Sequence, residues 1–267
     1  NYLRGSKNGL QTQWYENGTV AVQSNFQKGE RHGEETRYFP SGKVQLKSNY
    51  QQGKLDGDQV QYDESGNITR KSSFSKNQEE SRTEYTYFHD GKVSSEKNFL
   101  IGSSTGKLYK HGIWLEYTAP SQLKYKIEFN RDEIISGEKY EYYATGSIQK
   151  KVLLNREKEE EIQYYPDGKI QLRNVLTKGR RGDKAESFGY HENGQLKFHE
   201  SYHDYGRGLV KNGPRMEYDA NGKVIKAELF SRGRGKMMVI CPNCKEYTDP
   251  DKPRCIHCRK IRKDQKN

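Results

Sequence analysis

Residues 31–57 read RHGEETRYFPSGKVQLKSNYQQGKLDG, and this stretch returns to its own beginning after 24 residues. Gly33 opens the segment GEETRYF, and Gly57 opens the similar segment GDQVQYD. Similar units begin near Gly9, Gly33, Gly57, Ser81, Gly112, Gly137, Glu161, Gly182 and Gly213. Self-similarity at such a period is typical of repeat architectures. The sequence therefore predicts nine copies of one supersecondary unit.

Each copy is predicted to be a β-hairpin. Most copies contain a short turn that ends in glycine, such as ENG at Gly18 and PSG at Gly42. Asn, Asp or Ser before Gly favours a tight reversal, because Gly adopts positive φ without a steric penalty. The fifth copy departs from this rule, with APSQ at 119–122. After each turn the residues alternate between apolar and polar, which predicts a second strand with one dry face.

The first strand of each copy supplies one aromatic residue, which is expected to pack against the dry face of the second strand. These residues are Trp14, Tyr38, Tyr62, Tyr87, Tyr117, Tyr142, Tyr164, Tyr190 and Tyr218. A single hairpin buries too little apolar surface to be stable in water, whereas stacked hairpins share theirs. The predicted fold class is all-β: an elongated, single-sheet stack of about nine hairpins, on the order of 90 Å long.

The composition indicates a thin aromatic core. Of the 267 residues 31% are hydrophobic, a figure that includes 20 tyrosines, whereas ordinary globular domains carry about 45–50% apolar residues. The 12% aromatic content is too high for a disordered polyelectrolyte. Residues 2–9 match residues 50–57 in their tyrosine and glycine positions, so we expect further residues, with any targeting signal, before Asn1.

The repeat resembles the MORN repeat, in the variant found in bacterial YwqK-type antitoxins. The resemblance covers residues 1–230 and rests on a recurring YxxxG(K/N/T)(V/I/L) segment, an aromatic residue at the end of strand two, and pairs such as Gly29 with Gly33. The His–Gly pair of the eukaryotic form survives at His32 and His111, while most copies lack it. The resemblance implies an elongated sheet of hairpins that contacts proteins or phospholipids or acts as a scaffold.

Four cysteines lie near the carboxyl end, at Cys241, Cys244, Cys255 and Cys258. They form two CxxC pairs ten residues apart, a spacing that suits one tetrahedral, structural Zn²⁺ and resembles a zinc ribbon. Two disulfides or a redox CxxC are the alternatives. The repeats contain no cysteine, which favours zinc and a reducing, cytoplasmic compartment. His257 would be surplus to a four-cysteine site.

The net charge of +11 is concentrated in the tail. Residues 231–267 carry eleven basic and four acidic residues, a net charge of 11 − 4 = +7, which leaves +4 for residues 1–230. This small excess makes binding to a membrane surface unlikely for the repeats. Candidate contacts to nucleic-acid phosphates are Arg259, Lys260, Arg262 and Lys263, although charge runs of this size are often solvated tails.

These observations predict a repeat domain at 1–230, a linker at 231–238, a zinc ribbon at 239–260 and a basic tail at 261–267. No arrangement of nucleophile, base and oxyanion donors emerges. The predicted function is a non-enzymatic, protein-binding or scaffold module that is antitoxin- or immunity-like, with a toxin or an assembly subunit as partner. The alternative is a nucleic-acid-associated factor. Candidate partner contacts are Tyr38, Tyr62, Tyr87, Tyr117, Tyr142 and Tyr164.

Overall fold

The computed structural model of the chain describes residues 2–3, 5–240, 246–249 and 251–252. These residues form strands, turns and loops, and no α-helix occurs among them. The predicted all-β class is therefore confirmed for this part of the chain. It also contains no helix that could serve as a transmembrane span.

The chain divides into two compact units, of which the first comprises residues 1–137. Its strands are β1 (Tyr2–Leu3), β2 (Ser6–Lys7), β3 (Gly9–Trp14), β4 (Val20–Gln27), β5 (Glu30–Tyr38), β6 (Val44–Gln51), β7 (Lys54–Tyr62), β8 (Ile68–Ser75), β9 (Gln78–Tyr87), β10 (Val93–Ile101), β11 (Leu108–Lys110), β12 (Gly112–Ala119) and β13 (Gln122–Asn130). Consecutive strands from β3 to β10 pair antiparallel, β10 pairs with both β11 and β12, and β12 pairs with β13.

The second unit comprises residues 138–267, and β14 (Glu133–Tyr142) spans the boundary. Its other strands are β15 (Ile148–Asn155), β16 (Lys158–Tyr164), β17 (Ile170–Thr177), β18 (Lys184–Tyr190), β19 (Leu196–Asp204), β20 (Leu209–Lys211), β21 (Gly213–Tyr218), β22 (Val224–Ser231), β23 (Arg234–Met237), β24 (Val239–Ile240) and β25 (Tyr247–Thr248). The same succession of antiparallel pairs links β15 to β23.

The glycine turns within the copies close the hairpins as predicted. The backbone N–H of Gly42 donates to the carbonyl of Phe39 at 2.8 Å, with φ of 83° at Gly42. The same bond recurs at Gly18, Gly66, Gly91, Gly146, Gly168, Gly194 and Gly222. In the fifth copy Ser121 takes the positive φ, at 76°. The three-residue loop of the glycine turns, which ends in a left-handed residue, is a common hairpin connection, whereas the fifth copy has the two-residue loop 120–121.

Two-residue turns join one copy to the next. Lys28 and Gly29 both have positive φ, at 52° and 90°, as a type I′ turn requires. The N–H of Gly29 donates to the carbonyl of Lys7 at 2.9 Å, and the N–H of Gly53 donates to the carbonyl of Arg31 at the same distance. Where such a turn occurs, it binds a copy to the backbone of the preceding one.

The hairpins present two different faces, and a one-residue register shift lies beside the turn. In β5 and β6 Arg37 pairs with Leu46, but Tyr38 pairs with Val44. Ser24 donates to Glu35 at 2.8 Å, whereas the Tyr38 hydroxyl donates to Gln23 at 3.0 Å. Because neighbouring residues of a strand point to opposite faces, we call these the serine face (Ser24, Glu35, Ser48) and the tyrosine face (Gln23, Thr36, Tyr38). The expectation that Tyr38 packs on the face of Ser48 is wrong, because Ser48 pairs with Glu35 and Tyr38 lies three residues further along that strand, on the opposite face.

The most enclosed positions are polar in the first four copies. Ser24, Ser48, Ser72 and Ser95 are only 7%, 1%, 5% and 6% exposed. The buried apolar side chains among the described residues are Ile127, Phe129, Val175 and Ala227. The thin core agrees with the composition, but the serine face is a hydrogen-bonded trough and not a dry surface.

The hairpin pattern continues past residue 230. Residues 231–238, assigned to a linker from the sequence, contain β23, which pairs with β22 from Glu228↔Met237 to Ser231↔Arg234. The connecting turn is again a type I′ turn, with φ of 47° at Arg232 and 83° at Gly233. After it, β24 pairs with β25.

Candidate binding surface

Basic side chains lie over aromatic rings at one recurring position of the repeat. The charged group is 5.1, 4.1, 5.2 and 5.3 Å from the ring centroid in the pairs Lys7–Phe26, Arg31–Tyr50, Lys110–Phe129 and Lys211–Phe230. We call these four the basic–aromatic pairs. In each, the basic residue stands two positions before a glycine and the aromatic residue follows 19 positions later. The motif (Lys/Arg)-x-Gly could have identified them, but sequence reasoning missed it.

The glycine explains why the pair forms. Gly33 has φ of 87° and pairs directly with Tyr50 across the strands. Because glycine lacks a side chain, the tyrosine ring is free to lie against the strand beside Arg31. Cation–π contacts of this kind contribute roughly 0.5–1 kcal/mol at exposed sites. The local sequence thus produces a rigid, charged aromatic element in each of these copies.

A polar cleft of about 450 Å³ surrounds Glu35 in the first unit. The Glu35 side chain is 5% exposed and accepts hydrogen bonds from Ser24 Oγ at 2.8 Å, Arg31 Nη1 at 3.2 Å and Arg37 Nε at 3.0 Å. Burial raises the pKa of Glu35, but the bonds from Ser24, Arg37 and Arg31 outweigh it and hold this pKa below its ordinary value. Glu35 is therefore ionised at neutral pH. Lys7 completes the cleft.

Other copies build different ion-pair clusters. Glu79 accepts from Arg82 Nη2 at 2.6 Å and from Ser72 at 2.7 Å, and the bond from Arg82 is the main reason that its pKa is lowered. In the second unit Glu160 accepts from Arg173 Nε at 2.6 Å, which lowers the pKa of Glu160. The sheet therefore presents a series of related but individually charged sites.

Glu200 forms a further cluster in the second unit. Lys211 Nζ lies 2.8 Å from the Glu200 carboxylate, and the Tyr202 hydroxyl donates to the same group. Burial, followed by this hydrogen bond, raises the pKa of Tyr202 to about 12. Burial would raise the pKa of Glu200 as well, but Lys211 and Tyr202 lower it below its ordinary value.

The six tyrosines predicted as partner contacts are half-buried. The Tyr87 hydroxyl donates to the carbonyl of Ile68 at 2.7 Å, and the Tyr38 hydroxyl binds Gln23. By contrast, Trp14 at the equivalent position of the first copy is 62% exposed. These tyrosines contribute to the fold, and their contact with a partner stays a prediction.

A second set of side chains, which sequence reasoning missed, links neighbouring copies. Each lies one residue after a first-strand aromatic and bonds the backbone carbonyl of the next such aromatic. The bonds are Tyr15 to Tyr38 at 2.6 Å, Tyr143 to Tyr164 at 2.6 Å, Tyr165 to Tyr190 at 3.0 Å and His191 to Tyr218 at 2.9 Å. The signal in the sequence is a pair of adjacent aromatic or histidine residues before the turn.

The metal and nucleic-acid predictions fall outside the described residues. This holds for Cys241, Cys244, Cys255 and Cys258 and for Arg259, Lys260, Arg262 and Lys263. Within the described ranges no group of three or more His, Cys, Asp or Glu side chains is placed to hold a metal ion. Strands β24 and β25 pair as Val239↔Thr248 and Ile240↔Tyr247, so they flank the segment 241–246 that contains the first CxxC pair.

The MORN repeat variant family matches residues 7–28, 31–52, 55–76 and 185–204. Four segments of the chain are thus similar to MORN repeat variants. The first three matches begin at the same position of the repeat, at Lys7, Arg31 and Leu55. Lys7 and Arg31 are the basic residues of two basic–aromatic pairs. These matches favour a repeat-based binding module.

Among solved structures, the crystal structure of a protein of unknown function from Bacteroides fragilis NCTC 9343 is similar to this chain. The two are 13% identical, the match covers 58% of this chain and 94% of that one, and the TM-score is 0.17. No curated protein matches the chain.

Proposed function

We propose that the chain is a non-enzymatic, protein-binding scaffold whose MORN repeat variants hold a partner on the serine face. The observation that carries this proposal is the recurrence of basic–aromatic pairs at one position in four copies. Aromatic residues, and Arg as at Arg31, are enriched at protein interfaces, because both supply contact area and directed hydrogen bonds. Arg31 and Lys211 also form ion pairs with Glu35 and Glu200, so these two side chains lose little conformational entropy when a partner binds.

The partner is a toxin, for which the chain acts as antitoxin or immunity protein, or a subunit of a larger assembly. The resemblance to the YwqK-type variant supports the first choice.

We also infer that Cys241, Cys244, Cys255 and Cys258 hold one structural Zn²⁺. The support is the spacing of the two CxxC pairs, together with the pairing of β24 and β25 on either side of the first. Four thiolates would complete the tetrahedral shell of the ion, and its binding would supply the folding free energy of a module with little apolar core.

Affinity purification of the full chain from its native cells, followed by mass spectrometry, tests the binding proposal. We expect one protein to be recovered in stoichiometric amount. The matched variant replaces Arg259, Lys260, Arg262 and Lys263 by Gln. Recovery of nucleic acid alone, lost in this variant, would reject the proposal in favour of a nucleic-acid-associated factor.

A further inference from the structure

The cleft around Glu35 carries more positive charge than its carboxylate neutralises. Lys7, Arg31 and Arg37 line it together with Glu35, which gives a formal charge of 3 − 1 = +2. The Arg31 and Arg37 side chains are 37% and 46% exposed, whereas Glu35 is 5% exposed. The carboxylate is therefore enclosed beneath two guanidinium groups that remain accessible to solvent.

The two arginines are held in place and keep donors for a second acceptor. Arg31 lies 4.1 Å from the Tyr50 ring centroid and bonds Glu35 through Nη1. Arg37 approaches Glu35 through Nε and Nη2, each at 3.0 Å. Because each guanidinium has five N–H donors, one carboxylate cannot use them all. A site built in this way binds an incoming anion with little loss of side-chain entropy.

The charges are particular to this copy and are not required by the repeat. One period later, Arg31, Glu35 and Arg37 are replaced by Leu55, Gln59 and Gln61. Gln59 donates to Ser48 at 3.0 Å, so the neutral version satisfies the same buried serine row. The hairpin therefore forms with either the charged or the neutral residues, and the fold does not require the charges of this copy.

We propose that this cleft receives acidic side chains of a partner polypeptide. The inference rests on the proposed protein-binding function and names the chemistry of the partner. A volume of about 450 Å³ exceeds the needs of a single carboxylate, and small-ligand sites span roughly 300–1,000 Å³. Thr12 and Gln13 offer polar groups for peptide bonds, while Val22 and Phe26 offer apolar contact. An extended acidic segment uses all of these groups, whereas a bare phosphate uses only the cations.

The test is binding of a fluorescently labelled, glutamate-rich peptide to the full chain, followed by anisotropy at low and moderate salt. We expect Arg37→Gln and Lys7→Gln each to weaken binding about fivefold or more, because each removes one charge from the rim. Lys43→Gln and Lys92→Gln, in exposed loops, are the matched controls and are expected to bind as the wild type does.

A triple variant, Arg31→Leu with Glu35→Gln and Arg37→Gln, transplants the residues of the next copy. We expect it to fold, as judged by an unchanged far-UV circular dichroism spectrum, and to lose the peptide. Equal binding by this variant would overturn the inference, as would binding of inorganic phosphate or phosphatidylserine vesicles with no affinity for the peptide. If the triple variant still captures the native partner, the inference fails while the proposed function stands. If no partner is recovered at all, the proposed function fails instead.

Discussion

At the scale of single residues, the buried side chains of the serine face are stabilised by hydrogen bonds between polar groups. Ser48 is 1% exposed, and its hydroxyl accepts from Gln59 at 3.0 Å. A small side chain fits beneath the flanking Leu46 and Tyr50, and its hydrogen bond removes the cost of burying a hydroxyl. This is why a chain with so few apolar residues can enclose the centre of its hairpins.

Glu35 makes the stability of the first unit dependent on acid. Its pKa is lowered from an ordinary value of 4.5, so its contribution is complete above that pH and is lost as the pH falls through the lower, folded value. We expect Glu35→Gln to reduce the melting temperature at pH 7, and the difference from wild type to shrink below about pH 4.5. Thermal unfolding measured from neutral to acid pH tests this.

Glu16→Gln is the control for this prediction, because Glu16 lies exposed in the first hairpin loop. It should leave the melting curves unchanged. A Glu35→Gln protein whose difference from wild type stayed constant across the acid range would contradict the linkage.

At the scale of elements, the type I′ turns decide how one copy meets the next. Lys28 adopts φ of 52°, a conformation that costs a residue with a Cβ atom about 1–2 kcal/mol. We expect Lys28→Asn to stabilise the protein by up to about 1 kcal/mol, because Asn tolerates this region and Asn-Gly is favoured in such turns. Gly29→Ala, at φ of 90°, should destabilise it by about 1–2 kcal/mol.

Chemical denaturation of the three proteins measures both effects. Lys28→Gln is the matched control, since it removes the charge and keeps the conformational cost, and its stability should equal that of the wild type. If Lys28→Gln stabilises as much as Lys28→Asn, charge and not backbone conformation would be the cause.

At the scale of the whole molecule, the repeats and the cysteine module draw on different sources of stability. Backbone bonds between copies, such as Gly53 to Arg31, hold the hairpins without a metal ion. We expect one zinc ion per chain by elemental analysis, lost in Cys241→Ser and Cys255→Ser. Chelation should abolish the fold of the carboxyl-terminal module and leave the β-sheet circular dichroism of the repeats in place.

His257→Ala is the control, because four cysteines already fill the coordination shell. It should retain zinc. A chain that binds no zinc, or that forms disulfides when purified under reducing conditions, would refute the metal assignment.

The nine-copy period, the strand character and the glycine turns were predictable from the sequence, because each depends on residues close together in the chain. Alternation of apolar and polar residues predicts a strand, and Asn-Gly or Ser-Gly predicts a reversal of the chain. Neither prediction requires knowledge of residues that are distant in the sequence. The candidate site was harder to predict from the sequence. The rule that links Lys7 to Phe26 spans 19 residues and depends on the glycine opposite the ring.

Only the tertiary structure decided which face each side chain occupies. The pairing of Glu35 with both Ser24 and Ser48 aligns these residues in one row, and a slip of one residue would bring the side chains of the other face into that row. It also decided that Ser24 of the neighbouring strand meets the carboxylate that Arg31 and Arg37 bind, since this contact depends on the pairing of two strands. Local chemistry determined the repeat, whereas the register between strands, a cooperative property of the folded sheet, determined the surface that the repeat presents.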